Sequence, residues 1–427
     1  MIDKEIFPKN WKIKKMGDVC KLKNGFAFKS TDYVKTGVPV IRISDINNGL
    51  VLTEKAIRVN PENEYENYLV ELNDILIAMS GATTGKFGIF KTTEKAYQNQ
   101  RVGSFKILNN KVLDNKYLFY QLNSLKRQIE KDAYGGAQPN ISSSKIEEMG
   151  IVLPPFSEQQ QIVSKIEELF SELDKGKQQL ETVRLQLKTY RQAVLKWAFE
   201  GRFTNKGFKD GELPEGWKWV KSGEIIETIN NGYTPKSEFL TQNEGEIPFI
   251  KVYNLNFNGT LNFLKTPTFI PRAIHEKELK RSICYPDDVL INIVGPPLGK
   301  VSVVSKQYTE WNINQAVVCF RPNKKILSKF ISYFLQNPTT INWLEDTSKA
   351  TAGQWNVKVS TCRLIPIPLP PITDQQRIIN EIETRLSVCD KIEETITNCL
   401  QQSESLRQSI LKQAFEGKLV KPDENYN

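Results

Sequence analysis

The sequence predicts α/β (α+β) heads plus long α-helices: two globular heads separated by an antiparallel two-helix coiled coil, with internal pseudo-twofold duplication. Three observations predict it. Residues 153–204 align without a gap to residues 369–420, always 216 positions apart, with 20 of 52 identical, and a repeat of that length dictates architecture. Within each copy, apolar residues step by alternating fours and threes, the spacing of a coiled-coil stripe. The segments before the two copies share a more distant set of matched residues, among them Trp11 with Trp217 and Asn24-Gly25 with Asn231-Gly232.

The first head, residues 1–152, alternates β-rich runs at 38–43, 74–79 and 103–108 with turn residues, and the amphipathic stretch 115–128 reads as a helix. Residues 153–206 form the first helical region. Pro154 and Pro155 cannot continue a helix backwards. Ser157 stands where an N-cap would, with Gln160 three residues on, the capping-box arrangement. Gly201 supplies the left-handed residue that ends the helix. Between them Ile162, Ile166, Leu169, Leu173, Leu180, Val183, Leu187, Tyr190, Val194 and Trp197 form a seam that only Gly176 interrupts. A helix over about 158–200 runs on the order of 60 Å and cannot hide that stripe alone.

The second head, residues 207–368, repeats the first loosely. Val38-Pro39-Val40-Ile41-Arg42 matches Ile247-Pro248-Phe249-Ile250-Lys251, Asp74-Ile75-Leu76-Ile77 matches Asp288-Val289-Leu290-Ile291, Gly85-Lys86 matches Gly299-Lys300, and Asn99-Gln100 matches Asn314-Gln315. The offset drifts from 206 to 216, so insertions fall in the heads and never in the helices. Strands are expected at 289–294 and 316–320, and a helix at 328–335; the strand order is not legible. Residues 369–427 form the second helical region, with Thr373, Gln376 and Gly417 at the matching start and stop positions. Its seam keeps Ile378, Ile382, Cys389, Ile392, Ile396, Cys399, Leu406 and Ile410, with Arg385, Ser403 and Gln413 as polar departures. The nearest cover for one stripe is the other. Domain termini usually lie close together, so a chain that leaves one head along the first helix returns antiparallel along the second.

With 58 Lys+Arg against 49 Asp+Glu, the chain carries a formal +9, a balance that suits a polyanionic partner. No run of 18 apolar residues and no signal-peptide pattern at Met1 are present, so a cytoplasmic protein without membrane association is expected. The six cysteines (Cys20, Cys284, Cys319, Cys362, Cys389, Cys399) lack C-x-x-C spacing and are expected reduced and buried. The one histidine, His275, has no metal-ligand set or nucleophile beside it in sequence and reads as a solvated or structural imidazole. The stretch 81–86 (GATTGK) has three residues between its glycines where a P-loop needs four, and Phe87 replaces the Ser/Thr that would hold Mg²⁺. It reads as a turn. The Leu153-Pro154-Pro155-Phe156 tetrad lacks the Asn or Asp with which an amino-methyltransferase accepts the target amino group, and Leu369-Pro370-Pro371-Ile372 loses the aromatic too. Both are helix leaders, and no catalysis, metal or cofactor is expected of the chain itself.

Two divergent heads, each followed by an LPP-x-[ST]-[ED]-QQ helix ending in LK-x-AFEG, closely resemble the specificity subunit of Type I restriction-modification enzymes over essentially the whole chain. The resemblance implies that each head is a target recognition domain reading one half of a bipartite double-stranded DNA sequence. It further implies that the helices set the spacer and dock two methyltransferase subunits, with restriction subunits in the full complex. S-adenosylmethionine, ATP and Mg²⁺ would then belong to those partners.

Base readout uses Arg or Lys for guanine and Asn or Gln for adenine, with phosphate grips from Lys, Arg, Ser and Thr. Polar residues beside turns are therefore the candidate DNA contacts: Arg42, Ser44, Asp45, Lys86, Gln98, Gln100, Arg101, Gln138 and Asn140 in the first head, and Lys251, Tyr253, Asn254, Lys300, Asn312, Asn314, Gln354 and Asn356 in the second. Those shared by both heads are expected to shape the fold or hold phosphate rather than discriminate. The repeated helix ends, Arg191, Gln192, Lys196, Phe199, Glu200 and Arg407, Gln408, Lys412, Phe415, Glu416, are expected to dock the same partner twice, with the phenylalanines packing and the charged residues partly interfacial. Two other classes compete, a self-contained DNA adenine methyltransferase and a coiled-coil scaffold that binds no DNA. Methyl transfer by the isolated chain would mark the first. Absence of salt-dependent DNA binding would mark the second.

Overall fold

Runs of β-branched and aromatic residues bounded by turns become short strands, and the two long periodic stretches become single helices. The computed structural model describes residues 7–47, 49–133, 139–204, 211–264, 266–348, 350–351 and 354–420; Gln138, among the candidate contacts, lies outside them. The chain falls into two compact units, Met1–Gln179 with Asn398–Asn427, and Leu180–Thr397. Each unit thus combines one head with part of both long helices.

In the first head one sheet runs, in hydrogen-bonded order, Cys20–Asn24, Val102–Ile107, Ile75–Ala78, Phe87–Phe90, Gly49–Val51 and Ile46–Asn47. A second runs Tyr33–Val34, Ile57–Val59, Val38–Ile41, Ala96–Gln98 and Leu69–Val70. The pairs are antiparallel except Val38–Ile41 with Ala96–Gln98 and Phe87–Phe90 with Gly49–Val51. Ile75–Ala78 is buried along its whole length, which is why it reads as a continuous apolar run rather than an alternating one. The helix Asn115–Ala133 lays Leu118, Leu122 and Ile129 over Ile75, Ile77 and Phe105.

The second head repeats the order. Its first sheet is Thr228–Asn231, Val317–Arg321, Val289–Asn292 and Val301–Val303; its second is Thr241–Gln242, Thr268–Ile270, Ile247–Ile250, Trp311–Ile313 and Ile283–Cys284. The matching pair, Ile247–Ile250 with Trp311–Ile313, is again parallel. The expected helix at 328–335 is Ser328–Gln336. In each head a two-stranded ribbon leads into the long helix: Lys12–Lys15 with Gly150–Leu153, and Lys218–Lys221 with Pro366–Leu369.

The long helices are Phe156–Phe199 and Ile372–Phe415, each about 66 Å at the usual rise per residue. Both begin earlier than the capping-box reading placed them. Ser157 and Thr373 are already helical, because the Pro155 and Pro371 carbonyls accept the first bonds, from the Gln159 and Gln375 N–H groups at 3.0 Å. The residues that fix the start are those glutamines, both fully buried. Gln159 accepts from the Asp114 N–H (2.9 Å) and donates to the Val112 (2.9 Å) and Pro154 (3.0 Å) carbonyls. Gln375 accepts from the Leu327 N–H (2.9 Å) and donates to the Lys325 (3.0 Å) and Pro370 (3.1 Å) carbonyls. Each amide therefore ties its helix to the loop ahead of a head helix. Next to it Glu158 accepts from the Trp11 indole at 2.9 Å and from Asn10 at 3.2 Å. The matching residue, Asp374, is one methylene shorter, and the buried Trp217 Nε1 has no hydrogen-bond partner.

The helix ends are as expected. Gly201 and Gly417 have φ of 82° and 71°. Their N–H groups reach the Ala198 and Ala414 carbonyls, while Arg202 and Lys418 reach Trp197 and Gln413, the Schellman pattern. Space as well as conformation requires glycine: a Cβ would lie 2.1 Å from Pro214 Cγ at Gly201 and 2.4 Å from Pro8 Cδ at Gly417. The core of the first unit accordingly holds Ile162 and Ile166 from the first helix with Ile410, Leu411 and Phe415 from the second; that of the second unit holds Val194, Leu195 and Phe199 with Ile378, Ile379 and Ile382. Burying each such side chain contributes about 1.5–3 kcal/mol.

Toward the helix centres the seam opens. Cys389 and Ile396 are buried, but Val183, Ile392 and Leu406 are exposed, a departure from the continuous stripe. Gly176 meets no atom within 4 Å of a Cβ position. Here ion pairs join the helices. Arg407 pairs with Asp174 and lies 4.5 Å from the Phe170 ring in the first unit; Arg191 pairs with Asp390 (2.6 Å) and Glu393 (3.2 Å) in the second. In both units a residue early in one helix meets one late in the other, so the local sense is antiparallel.

Gln159→Ala or Gln375→Ala would strand buried polar groups, and each is expected to destabilise its unit by about 2 kcal/mol or more in chemical denaturation. Gln160→Ala, at an exposed position, is expected to stay within about 0.5 kcal/mol of the parent.

Candidate nucleic-acid interface

In each head polar groups line a cleft bordered by the Asn-Gly turn and a short helix. In the first head, Asn24, Ser80, Gly81, Gln100, Arg101, Asn140 and Ser142 to Ser144 line about 700 Å³. The helix Ser143–Glu147 opens there, with the Ser142 hydroxyl accepting from the Lys145 N–H at 3.3 Å. The Ser143 hydroxyl donates to Asn24 at 3.0 Å. The Ser80 hydroxyl is buried with no hydrogen-bond partner. In the second head Asn230, Asn231, Tyr233, Arg281, Ser360 and Arg363, with the carboxylate of Glu278, line about 480 Å³; Arg363 donates to the Ile229 carbonyl at 3.1 Å, and Tyr233 is exposed. Hydroxyls, amides and guanidinium groups over an open cleft are the donors that grip phosphate oxygens.

Of the expected contacts, Arg101, Gln100 and Asn140 come together in that first cleft. Lys86 lines a separate 480 Å³ cleft with Asn47, Lys126, Arg127 and Glu130. The Gly81 to Lys86 stretch is the turn expected, closed by the Thr84 hydroxyl on the Gly81 carbonyl at 2.6 Å. Arg42 and exposed Ser44 sit on a one-turn helix whose Asp45 caps the Arg42 N–H at 2.8 Å and lies 3.7 Å from the Arg42 Nε. In the second head the same turn carries Lys251 and Tyr253, and Lys300 stands beside Phe257.

Burial corrects other choices. Gln98 is 1% exposed and spends its amide on the Lys23 and Val102 carbonyls, both at 2.7 Å. Asn254 is fully buried, accepting from the Lys251 N–H and donating to the Asn262 carbonyl. Both looked like adenine readers because amides beside turns do; both close the turns instead. Asn312 is likewise buried, against His275, and the Asn314 side-chain oxygen is buried without a partner. Asn356 pairs with Val294 in a short ribbon; the Gln354 side chain lies outside the described residues.

At the repeated helix ends the two phenylalanines pack inward, Phe199 against Phe330 and Phe334 (5.1 and 5.3 Å) and Phe415 against Tyr117 (5.5 Å). Arg191 and Arg407 are held by the interhelical ion pairs. Lys196 and Lys412 are exposed, paired i,i+4 with Glu200 and Glu416. Lys196 and Glu200 rim a cavity of about 630 Å³ whose walls include Trp219, Phe334 and Trp343.

Two buried clusters stand apart from the clefts. Cys284, Asp288 and Cys319 bring ligand atoms within 4.8 Å of one another, a grouping invisible in their spacing. The Asp288 carboxylate is taken by Arg321, at 3.1 and 2.9 Å, and by the Tyr285 N–H. A side-chain hydrogen bond with Cys284, in which Cys319 keeps its proton, and burial hold the Cys319 thiol well above its ordinary pKa. A cation would have to displace a guanidinium and two thiol protons. His275 is 1% exposed, with Nδ1 3.0 Å from the Asn312 amide and Nε2 3.5 Å from Glu310. Burial, outweighing the pull of Glu310, holds its pKa below 6.5.

The comparisons identify the family. Residues 8–182 and 214–402 match the family model described as the Type I restriction modification DNA specificity domain. The chain belongs to that family. It is 30% identical over 430 residues to the Type I restriction enzyme EcoBI specificity subunit of Escherichia coli, covering 96% of this chain and 86% of that one. To the EcoKI specificity subunit of Escherichia coli (strain K12) it is 26% identical, covering 97% and 90%. Its fold matches a solved chain of a type I R-M system with a TM-score of 0.72 at 18% identity, covering 96% and 99%. It also matches the HsdS subunit from Thermoanaerobacter tengcongensis with a TM-score of 0.59 at 17% identity, covering 96% and 98%. The family is that of the non-catalytic specificity subunits. Among the described residues no helix is long and apolar enough to cross a membrane.

His275 gives a pH test. Its folded pKa is depressed, so the unfolded chain binds the proton more readily and stability falls as pH drops below about 6.5. His275→Gln is expected to flatten that part of the melting-temperature profile between pH 7 and 5; an unaltered slope would contradict a buried neutral imidazole.

Proposed function

We propose that this chain is the DNA sequence-specificity subunit of a Type I restriction-modification complex. Heads at 1–152 and 207–368 each read one half of a bipartite double-stranded target, as two target recognition domains of a pseudo-twofold, internally duplicated chain. Helical regions at 153–206 and 369–427 pair as an antiparallel coiled coil that sets the spacer and docks two methyltransferase subunits, with restriction subunits in the full assembly. S-adenosylmethionine, ATP and Mg²⁺ belong to those partners.

The observation that carries this reading is the repeated strand order of the heads combined with unlike polar clefts at the matching place. Similar scaffolds with different linings suit two different half-sites, and half-site spacing follows protein geometry. The net charge of +9 agrees with phosphate contacts. Lys196 and Glu200 beside the aromatic cavity, and Lys412 and Glu416 at the matching helix end, are the proposed docking groups for methyltransferase.

The test is exchange of residues 207–368 for the equivalent head of a relative, assembly with the methyltransferase subunits, and sequencing of methylated adenines in treated DNA. One half of the motif is expected to change and the other to persist; change in both halves would refute independent heads. Four residues inserted near Gly176, about 6 Å of helix, are expected to lengthen the unspecified spacer by roughly one or two base pairs. An unaltered spacer would defeat the ruler role.

A further inference from the structure

If two similar scaffolds read different half-sites, discriminating groups belong at matching positions that are exposed, rigid and unlike, while groups common to both heads suit the uniform phosphate backbone. A short hairpin after the Arg42 and Lys251 turns is one such element, exposed and tied down in the second head. In the first head it is the hairpin Ile46–Asn47 to Gly49–Val51, whose second strand lies parallel to Phe87–Phe90, just after Lys86. In the second head the bridge between Leu255 and Leu261 and the parallel bridge between Gly259 and Ser302 build the same hairpin beside Lys300, with one more residue at its tip. That tip carries Phe257, 55% exposed.

An exposed phenylalanine on a loose loop would mean little, but this loop is tied down. The Val301 N–H reaches the Asn256 carbonyl at 2.9 Å and the Val303 N–H reaches the Gly259 carbonyl at 3.0 Å. The Ser302 hydroxyl donates to the Thr260 carbonyl at 2.7 Å, and Asn258 accepts from the Thr260 hydroxyl at 2.7 Å. Cations flank the aromatic faces: Lys300 Nζ is 5.9 Å from the Phe257 ring centroid, and Lys251 Nζ is 5.9 Å from that of Tyr253, itself 49% exposed. Aromatic faces alternating with ammonium groups suit a nucleic acid, whose bases offer apolar edges and stacking faces beside phosphates.

We propose that the 251–262 hairpin is the specificity-determining element of the second head, with Phe257 making an apolar contact to a base in that half-site and Lys300, like Lys86 in the first head, gripping phosphate. This rests on the reading of the chain as a specificity subunit. Phe257 sits where the first head has a shorter tip, so its contact belongs to one half-site alone.

The experiment uses the chain assembled with its methyltransferase subunits, comparing Phe257→Ala, Lys300→Ala and the whole-head exchange by methylated-adenine sequencing and by DNA binding at several salt concentrations. Phe257→Ala is expected to leave the melting temperature and subunit assembly unchanged, keep the first half of the motif, and relax one or two positions of the second half by about tenfold. Lys300→Ala is expected to weaken binding to all sequences alike and lower the slope of log affinity against log salt by about one. If the head exchange retargets the second half while Phe257→Ala leaves it intact, the hairpin assignment falls and the parent reading stands. Loss of methyltransferase binding in Phe257→Ala would overturn the assignment in favour of a protein contact. If the head exchange leaves the motif as it was, the parent reading falls as well.

Discussion

A single buried amide at the start of each long helix fixes how helix and head meet. Gln159 and Gln375 each satisfy one backbone N–H and two carbonyls, so neither helix can swing from its head without stranding polar groups in an apolar surrounding. Everything else in each unit is compatible with that constraint. The two-stranded ribbon delivers the chain to the helix, the apolar turns after the glutamine enter the head core, and the glycine-ended terminus of the other helix closes over the proline ahead of Trp11 or Trp217.

The same constraint explains the uneven seam. Packing energy is concentrated where helix meets head, and the central turns rely on a few buried residues such as Cys389 and Ile396 with surface ion pairs. Exposed pairs of that kind contribute about 1 kcal/mol at most, so they set register more than stability. Under the proposed function, rigidity at the helix ends matters more than tightness at the centre, because a ruler must transmit the position of its ends.

The long elements were legible because their signals are local. Periodicity gave the helices, and Gly201 and Gly417 gave their ends, since a Schellman turn needs only the residues around it. Ser157 misled because the chain enters the helix through the Pro155 carbonyl, and no local pattern distinguishes a capping serine from one already in the first turn. Gln159 escaped notice because its role is set by residues 112–114, some 45 positions away. At the site, Gln98 and Asn254 looked like readers for the chemistry they carry, yet backbone groups brought up by the fold consume that chemistry. Phe257 was missed for the opposite reason: sequence alone assigns a phenylalanine to the core, and only the hairpin built around Gly259 turns it outward. The Cys284–Asp288–Cys319 cluster was hidden because its members lie on three separate strands or turns.

The antiparallel sense of the two long helices within each unit is tested most directly by paired cysteine substitution. Asp174→Cys with Arg407→Cys, and separately Arg191→Cys with Asp390→Cys, replace the two interhelical ion pairs. A bifunctional maleimide spanning about 10 Å, roughly one interhelical distance, is expected to cross-link both pairs within a single chain, seen as a mobility shift without dimer and as cross-linked peptides by mass spectrometry. Cross-links found only between chains, or in neither pair, would contradict the account.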